Sequence, residues 1–153
     1  HGESVTRAQF AVLVARALNL QTAEYQGTFK DVPAGLSWAA LEIEAANRAG
    51  IISGMGNGKF APNEKITREQ MAAMVIRAIQ YKDASLLDGV KAPASFKDSK
   101  KISSFAKDYV AQAAALKLVN GYADQTFAPK ADTTRAQSAV ILYRLLDSLG
   151  EIK

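Results

Sequence analysis

Residues 29–77, FKDVPAGLSWAALEIEAANRAGIISGMGNGKFAPNEKITREQMAAMVIR, align without a gap on residues 96–144, FKDSKKISSFAKDYVAQAAALKLVNGYADQTFAPKADTTRAQSAVILYR. The offset is sixty-seven residues, and fifteen of the forty-nine positions are identical. The identities cluster. Phe29-Lys30-Asp31 answers Phe96-Lys97-Asp98; Gly54 and Phe60-Ala61-Pro62 answer Gly121 and Phe127-Ala128-Pro129; Thr67-Arg68-x-Gln70 answers Thr134-Arg135-x-Gln137. In both copies a further arginine follows nine residues after the first, at Arg77 and Arg144. A self-similarity of this length points to a repeat architecture and governs the fold assignment.

A third copy is partial. Thr6-Arg7-Ala8-Gln9 and Arg16 repeat the last cluster at the same spacing. The chain therefore reads as two and a half repeats: residues 1–27 as the second half of repeat 1, 28–94 as repeat 2 and 95–153 as repeat 3. Each full repeat reads as helix, loop, helix, so the expected class is all-α. The first helix is expected over Ser37 to Ala49 and Ser104 to Leu116, where Ala39, Ile43 and Ala46 match Ala106, Val110 and Ala113 at helical spacing. Gly50 and the glycines at 54, 56 and 58 break it, and Asn120-Gly121 does so in the later copy. Phe60 and Phe127 are expected to bury their rings, and Pro62 and Pro129 to keep the loop extended.

The second helix begins at each threonine. Thr followed three residues later by Gln is a capping box, in which each side chain satisfies the other residue's free backbone N–H. The runs that follow, Phe10 to Ala15, Met71 to Ile76 and Ala139 to Tyr143, are largely apolar. Helices apolar on most faces are expected to be buried among one another.

Composition narrows the function. The chain has 153 residues, a net charge of +4 and no cysteine. Disulfides and cysteine chemistry are thereby excluded. The charge suits an acidic partner but lacks the concentrated basic blocks of a nucleic-acid binder. No stretch has the length of a membrane span, and the opening residues lack the pattern of a signal peptide. The only histidine is His1, which leaves no histidine for acid–base or metal chemistry within the repeats. Glu42 and Glu44 lie two apart and face different ways on a helix. Gly54-x-Gly56-x-Gly58 follows a helix rather than a strand, so a dinucleotide fingerprint fails on context.

Arginine at the first helical position opposes the helix dipole at a cost of a few tenths of a kcal/mol, and three copies of that choice imply a compensating partner. One partner is an anion held by free helix N–H groups and a guanidinium fork. Another is an acid of a neighbouring repeat, such as Asp31 or Asp98. Arg16, Arg77 and Arg144 fall on the opposite side of their helices and read as structural. So do Asp31 and Asp98, as caps or as orienters of a motif arginine. Trp38 suits either a sugar ring or the core.

Four clusters taken together resemble the S-layer homology family. They are Phe29-x-Asp31-Val32 with Trp38-Ala39, Ala49-Gly50-Ile51-Ile52-Ser53-Gly54, Gly58-Lys59-Phe60-Ala61-Pro62 and Ile66-Thr67-Arg68-Glu69-Gln70. The resemblance covers almost the whole chain. It departs where the family's motif ends in Glu, which is Gln at Gln9, Gln70 and Gln137, and where Trp38 becomes Phe105. It implies a pseudo-threefold, three-pronged spindle with its first repeat incomplete. It also implies extracellular anchoring to the bacterial cell wall, with no enzymatic activity, no cofactor and no metal. The implied partner is an acidic, pyruvylated secondary cell-wall polysaccharide, with peptidoglycan as a further candidate. The ligand-binding set it implies is Arg7, Arg68, Arg135, Asp31, Trp38, Asp98, Gly54 and Gly121. In grooves between consecutive repeats, Arg7 would face Asp31 and Trp38, Arg68 would face Asp98 and Phe105, and Arg135 would face open solvent. On this reading Arg68→Ala weakens binding with little change in stability. Two rivals are a fragment of a glycan hydrolase, which needs two converging carboxylates, and a module for protein assembly.

Overall fold

The computed structural model describes residues 3–91 and 95–151. His1 and part of the expected boundary between repeats 2 and 3 lie outside those residues. Among the described residues are five α-helices: α1 (Arg7–Ala17), α2 (Ala40–Arg48), α3 (Arg68–Asp83), α4 (Lys107–Ala115) and α5 (Arg135–Ser148). Short 3₁₀ turns occupy Ala84–Leu87, Ser99–Lys101 and Ser104–Ala106. Among the described residues extended pairing is confined to isolated bridges, so the chain is all-α.

Each of α1, α3 and α5 starts where the capping boxes place it. Thr6, Thr67 and Thr134 accept the N–H of Gln9, Gln70 and Gln137, and each glutamine Oε1 accepts the threonine N–H in return. The three helices pack pairwise on one another, with α2 on α1 and α4 on α3. Their entry segments close a ring at the centre. Val5 N–H donates to Thr133 O, Thr133 N–H to Ile66 O, and Ile66 N–H to Val5 O, at 3.0, 2.9 and 2.9 Å. The ring lets three buried backbones satisfy one another without a sheet.

Thr133 occupies the position held by Val5 and Ile66 in the other copies, and its buried hydroxyl has no partner among the described residues. An unpaired buried hydroxyl costs about 1–3 kcal/mol. Thr133→Val is therefore expected to stabilise the domain by about 1 kcal/mol, read as a higher urea midpoint at unchanged slope. A lower midpoint would show that the hydroxyl contributes.

The structure corrects three expectations. The helix expected from Ser37 starts at Ala40, because Ala39 and Ala40 N–H both turn back to Leu36 O. Trp38 thus lies in a turn ahead of the helix and is 44% exposed, away from the core stripe. Ser104 to Ala106 forms a 3₁₀ turn ahead of α4 in the same way, leaving Phe105 exposed. Pro62 and Pro129 sit in turns, not in extended chain, and aim their carbonyls at the N–H groups of Ala8 and Glu69.

The third correction concerns α5. Ala8, Ala11, Val12 and Ala15 of α1 are buried, as are Glu69, Ala72, Ala73 and Ile76 of α3. The corresponding Ala136, Ala139, Val140 and Tyr143 of α5 are exposed. The sequence pattern is the same, but α1 and α3 each carry a shorter helix on that side, whereas the helix contacts of α5 are with α1 and α3.

Candidate functional site

The loop that closes each full repeat is built on an aspartate. Asp31 accepts the N–H of Phe60 and of Ala61 through its two oxygens, at 2.8 and 2.9 Å. Asp98 does the same for Phe127 and Ala128, at 2.9 and 2.8 Å. Ala61 and Ala128 have φ of 60° and 57°, a left-handed backbone that alanine adopts only under constraint. Burial alone would raise both aspartates, but the backbone N–H groups outweigh it and hold them below the usual carboxylate range. Phe60 and Phe127 are fully buried as expected, against Phe29 and Phe96 at ring separations of 5.4 and 5.3 Å.

Those loops receive the motif arginines. Arg7 is only 4% exposed; its Nε donates to Phe60 O at 2.9 Å and its guanidinium lies 4.7 Å from the Phe60 ring centre. Arg68 is 5% exposed, with Nε to Phe127 O at 2.7 Å, Nη2 to Asn120 O at 3.1 Å, and the rings of Phe127 and Tyr122 against its guanidinium. Burial pushes both guanidinium groups down from their ordinary value, opposed by Glu64 and Asp31 at Arg7 and by Tyr122 and Asp98 at Arg68. Arg135 is exposed. The carbonyls of a turned loop thus compensate for the position of Arg7 and Arg68 at the helix start. The helix N–H groups expected to bind an anion are also used. Arg7 and Ala8 N–H donate to Glu64 and Pro62 O, and Arg68 and Glu69 N–H donate to Ala131 and Pro129 O.

Three surface grooves flank these arginines. The first, about 320 Å³, is lined by Arg7, Ser53, Gly54, Met55, Gln70 and Arg77 over a floor of Ile52, Ala73 and Met74, with Phe105 at one side. The second, about 300 Å³, brings together Arg68, Gly121, Tyr122, Gln137 and Arg144. The third, about 440 Å³, holds Arg135, Gln9, Arg16 and Trp38. Every groove carries two arginines and one capping glutamine, and no carboxylate lines any of them.

This distribution differs from the expected pairing. Arg7 shares its groove with Phe105, and Trp38 shares one with Arg135. Asp31 and Asp98 hold the loops and line none of the three grooves. Gly54 and Gly121 do line them, and both lie where a side chain cannot fit. A Cβ on Gly54 would meet Lys59 O at 2.8 Å, and one on Gly121 would meet the Phe96 ring at 2.7 Å.

Sequence reading missed Tyr122, which carries an exposed ring where repeat 2 has Met55. It also read the second arginines as structural alone. Arg16 Nη2 donates to Trp38 O, Arg77 Nε donates to the Tyr109 hydroxyl, and Arg144 Nη1 donates to Leu118 O. Their structural bonds are as expected, yet each also lines the groove beside its helix. The signal was their constant spacing from the first arginine.

The family model for the S-layer homology domain matches residues 28–72 and 95–139. An endoglucanase of Bacillus sp. (strain KSM-635) is 46% identical over 94% of this chain and 15% of its own length. The S-layer protein sap of Bacillus anthracis is 34% identical over 97% of the chain and 17% of its own. A cellulosome-anchoring protein of Acetivibrio thermocellus is 29% identical over 94% and 32%. The chain thus spans between about a seventh and a third of the length of these relatives. Among the described residues no helix is long and apolar enough to cross a membrane. With both full repeats matched, the chain belongs to the S-layer homology domain family, a class of anchoring module found outside the cell and associated with its wall.

Proposed function

We propose that the chain holds a surface protein non-covalently on the bacterial cell wall by binding an acidic, pyruvylated secondary cell-wall polysaccharide. The observation that carries this reading is the composition of the grooves, each with two arginines, a glutamine and no carboxylate. Guanidinium groups on an apolar floor suit a sugar bearing a carboxylate. In this reading Arg7 and Arg68 are inner anchors, fixed by the loops that Asp31 and Asp98 hold. Phe105, Tyr122 and Trp38 offer ring faces to the sugar. Gly54 and Gly121 let the backbone approach it. Arg135 serves a wider and weaker groove.

The pairwise packing of α1, α3 and α5 and their central hydrogen-bond ring support a pseudo-threefold arrangement of repeats at 1–27, 28–94 and 95–153. The module itself is non-catalytic in this reading. A relative named for an enzyme matches over only 15% of its length, which leaves most of that protein outside the match. Peptidoglycan is a second wall component within reach.

Co-sedimentation with purified sacculi tests the proposal. The chain is expected to pellet with native sacculi and to lose binding by at least about tenfold after acid removes the polysaccharide. Binding indifferent to that treatment would favour protein contacts or peptidoglycan instead.

A further inference from the structure

We propose that Asn120 is a site of spontaneous deamidation, promoted by Arg68, through which the protein acquires a carboxylate in the Arg68 groove. An asparagine followed by glycine can cyclise, because no side chain shields the glycine nitrogen and its backbone turns freely. The chain has two such pairs, Asn57-Gly58 and Asn120-Gly121, and all four residues are exposed. In neither pair does the glycine N–H or the asparagine side-chain amide make a hydrogen bond among the described residues. The reaction is a ring closure. Base takes the proton from Gly121 N, which attacks Asn120 Cγ. The new N–Cγ bond replaces the bond from Cγ to Nδ2, and that nitrogen takes a proton from water and leaves as ammonia. Water then opens the cyclic imide at either carbonyl, giving aspartate or isoaspartate.

The fold separates the two pairs. The anion formed at Gly121 N is shared by resonance with Asn120 O, the oxygen of the same peptide. Arg68 Nη2 donates to that oxygen at 3.1 Å, and the rings of Phe127 and Tyr122 hold the guanidinium in place. A fixed cationic donor thus sits where the charge develops. Asn57 O accepts no such bond among the described residues. Asn57 and Gly58, at φ of 56° and 72°, are the central residues of a tight turn. That turn is closed by Lys59 N–H to Gly56 O at 3.1 Å and pinned by Lys30 N–H on Gly58 O at 2.8 Å, which resists the rotation that ring closure needs.

The fold also preserves the reactive pair. A Cβ on Gly121 would meet Thr126 O at 2.8 Å as well as the Phe96 ring, so glycine is obligatory there. Repeat 2 places Ser53 before Gly54, and serine has no amide to lose. Asn120 lines the second groove, which no carboxylate lines. Deamidation therefore sets a carboxylate beside Arg68 and Arg144 and leaves the Arg7 groove as it was.

Folded protein and protein in concentrated urea are incubated side by side in mildly alkaline buffer. Peptide mapping by mass spectrometry follows the exchange of NH₂ for OH at each asparagine. In the folded chain Asn120 is expected to convert at least about tenfold faster than Asn57, the worth of one hydrogen bond from a charged donor. In urea, with neither turn nor guanidinium in place, the two are expected to convert at similar rates. The acidic species that folded wild type accumulates on isoelectric focusing are expected to be absent from Asn120→Ser, which copies repeat 2. Arg68→Gln, held at a temperature where circular dichroism shows it folded, is expected to convert Asn120 about tenfold more slowly than wild type. Equal folded-state rates at the two sites, or a ratio that persists unchanged in urea, would overturn the proposal. An undiminished Asn120 rate in Arg68→Gln would overturn the part given to Arg68. No polysaccharide enters the measurement, so its failure leaves the wall-binding reading standing.

Discussion

Arg68→Ala is expected to lower the thermal midpoint of the domain by roughly 5–10 °C, while Arg135→Ala leaves it within about 2 °C. The two residues occupy the same position in consecutive copies of one motif, but their surroundings differ. Arg68 is buried, donates to Phe127 O and Asn120 O, and is sandwiched by the rings of Phe127 and Tyr122. Truncation leaves two carbonyls without their donor and opens a space beside a fully buried phenylalanine. Hydrogen bonds to a charged group are worth about 1.5–3 kcal/mol, and a partly emptied core adds to the loss. Arg135 is exposed, and an exposed charge contributes little. Sequence reading expected Arg68 to affect binding with little effect on stability. The structure makes it the support of its groove, so a binding defect in Arg68→Ala must be measured on protein shown to be folded. Equal midpoints for the two variants would contradict the anchoring role.

Asp98→Ala is expected to cost about 3 kcal/mol, because Phe127 and Ala128 N–H lose their acceptor together. The left-handed backbone at Ala128 also loses the clamp that holds it. Asp98→Asn, which keeps one acceptor oxygen, is expected to fall between Ala and wild type. The same groups set the acid limit of the fold. Burial would raise Asp31, Asp98 and Glu44, but N–H groups donating to each outweigh it and hold all three below their ordinary values. Glu69 is lowered likewise, against burial, by Ser103 and Lys130. A depressed folded-state pKa stabilises above the unfolded value of about 4, and that stability is lost as pH falls through the lower folded-state values. The thermal midpoint should therefore hold near neutral pH and drop steeply below about pH 4, less steeply in Asp98→Asn. A midpoint flat through that range, or an Asp98→Ala cost under about 0.5 kcal/mol, would refute the clamp.

The local parts of this protein were legible in its residues. A capping box closes over three residues, so Thr6, Thr67 and Thr134 marked the starts of α1, α3 and α5 without reference to the rest of the chain. The repeat itself, the burial of Phe60 and Phe127 and the breaks at glycine were readable for the same reason. The fate of each arginine was not. Arg7 meets Phe60 O across 53 residues and Arg68 meets Phe127 O across 59, and only the fold brings those loops to the helix starts. The three copies of the motif are alike in sequence, yet two arginines are buried and one is exposed, because among the described residues a loop of the required shape lies beside two of them. The exposure of Ala139, Val140 and Tyr143 on α5 and the placement of Trp38 beside Arg135 were decided in the same way. Capping and turn preferences are set by bonds a few residues long, so sequence determines them; which side chain meets which across the grooves depends on packing between distant segments, and only the tertiary structure fixes that.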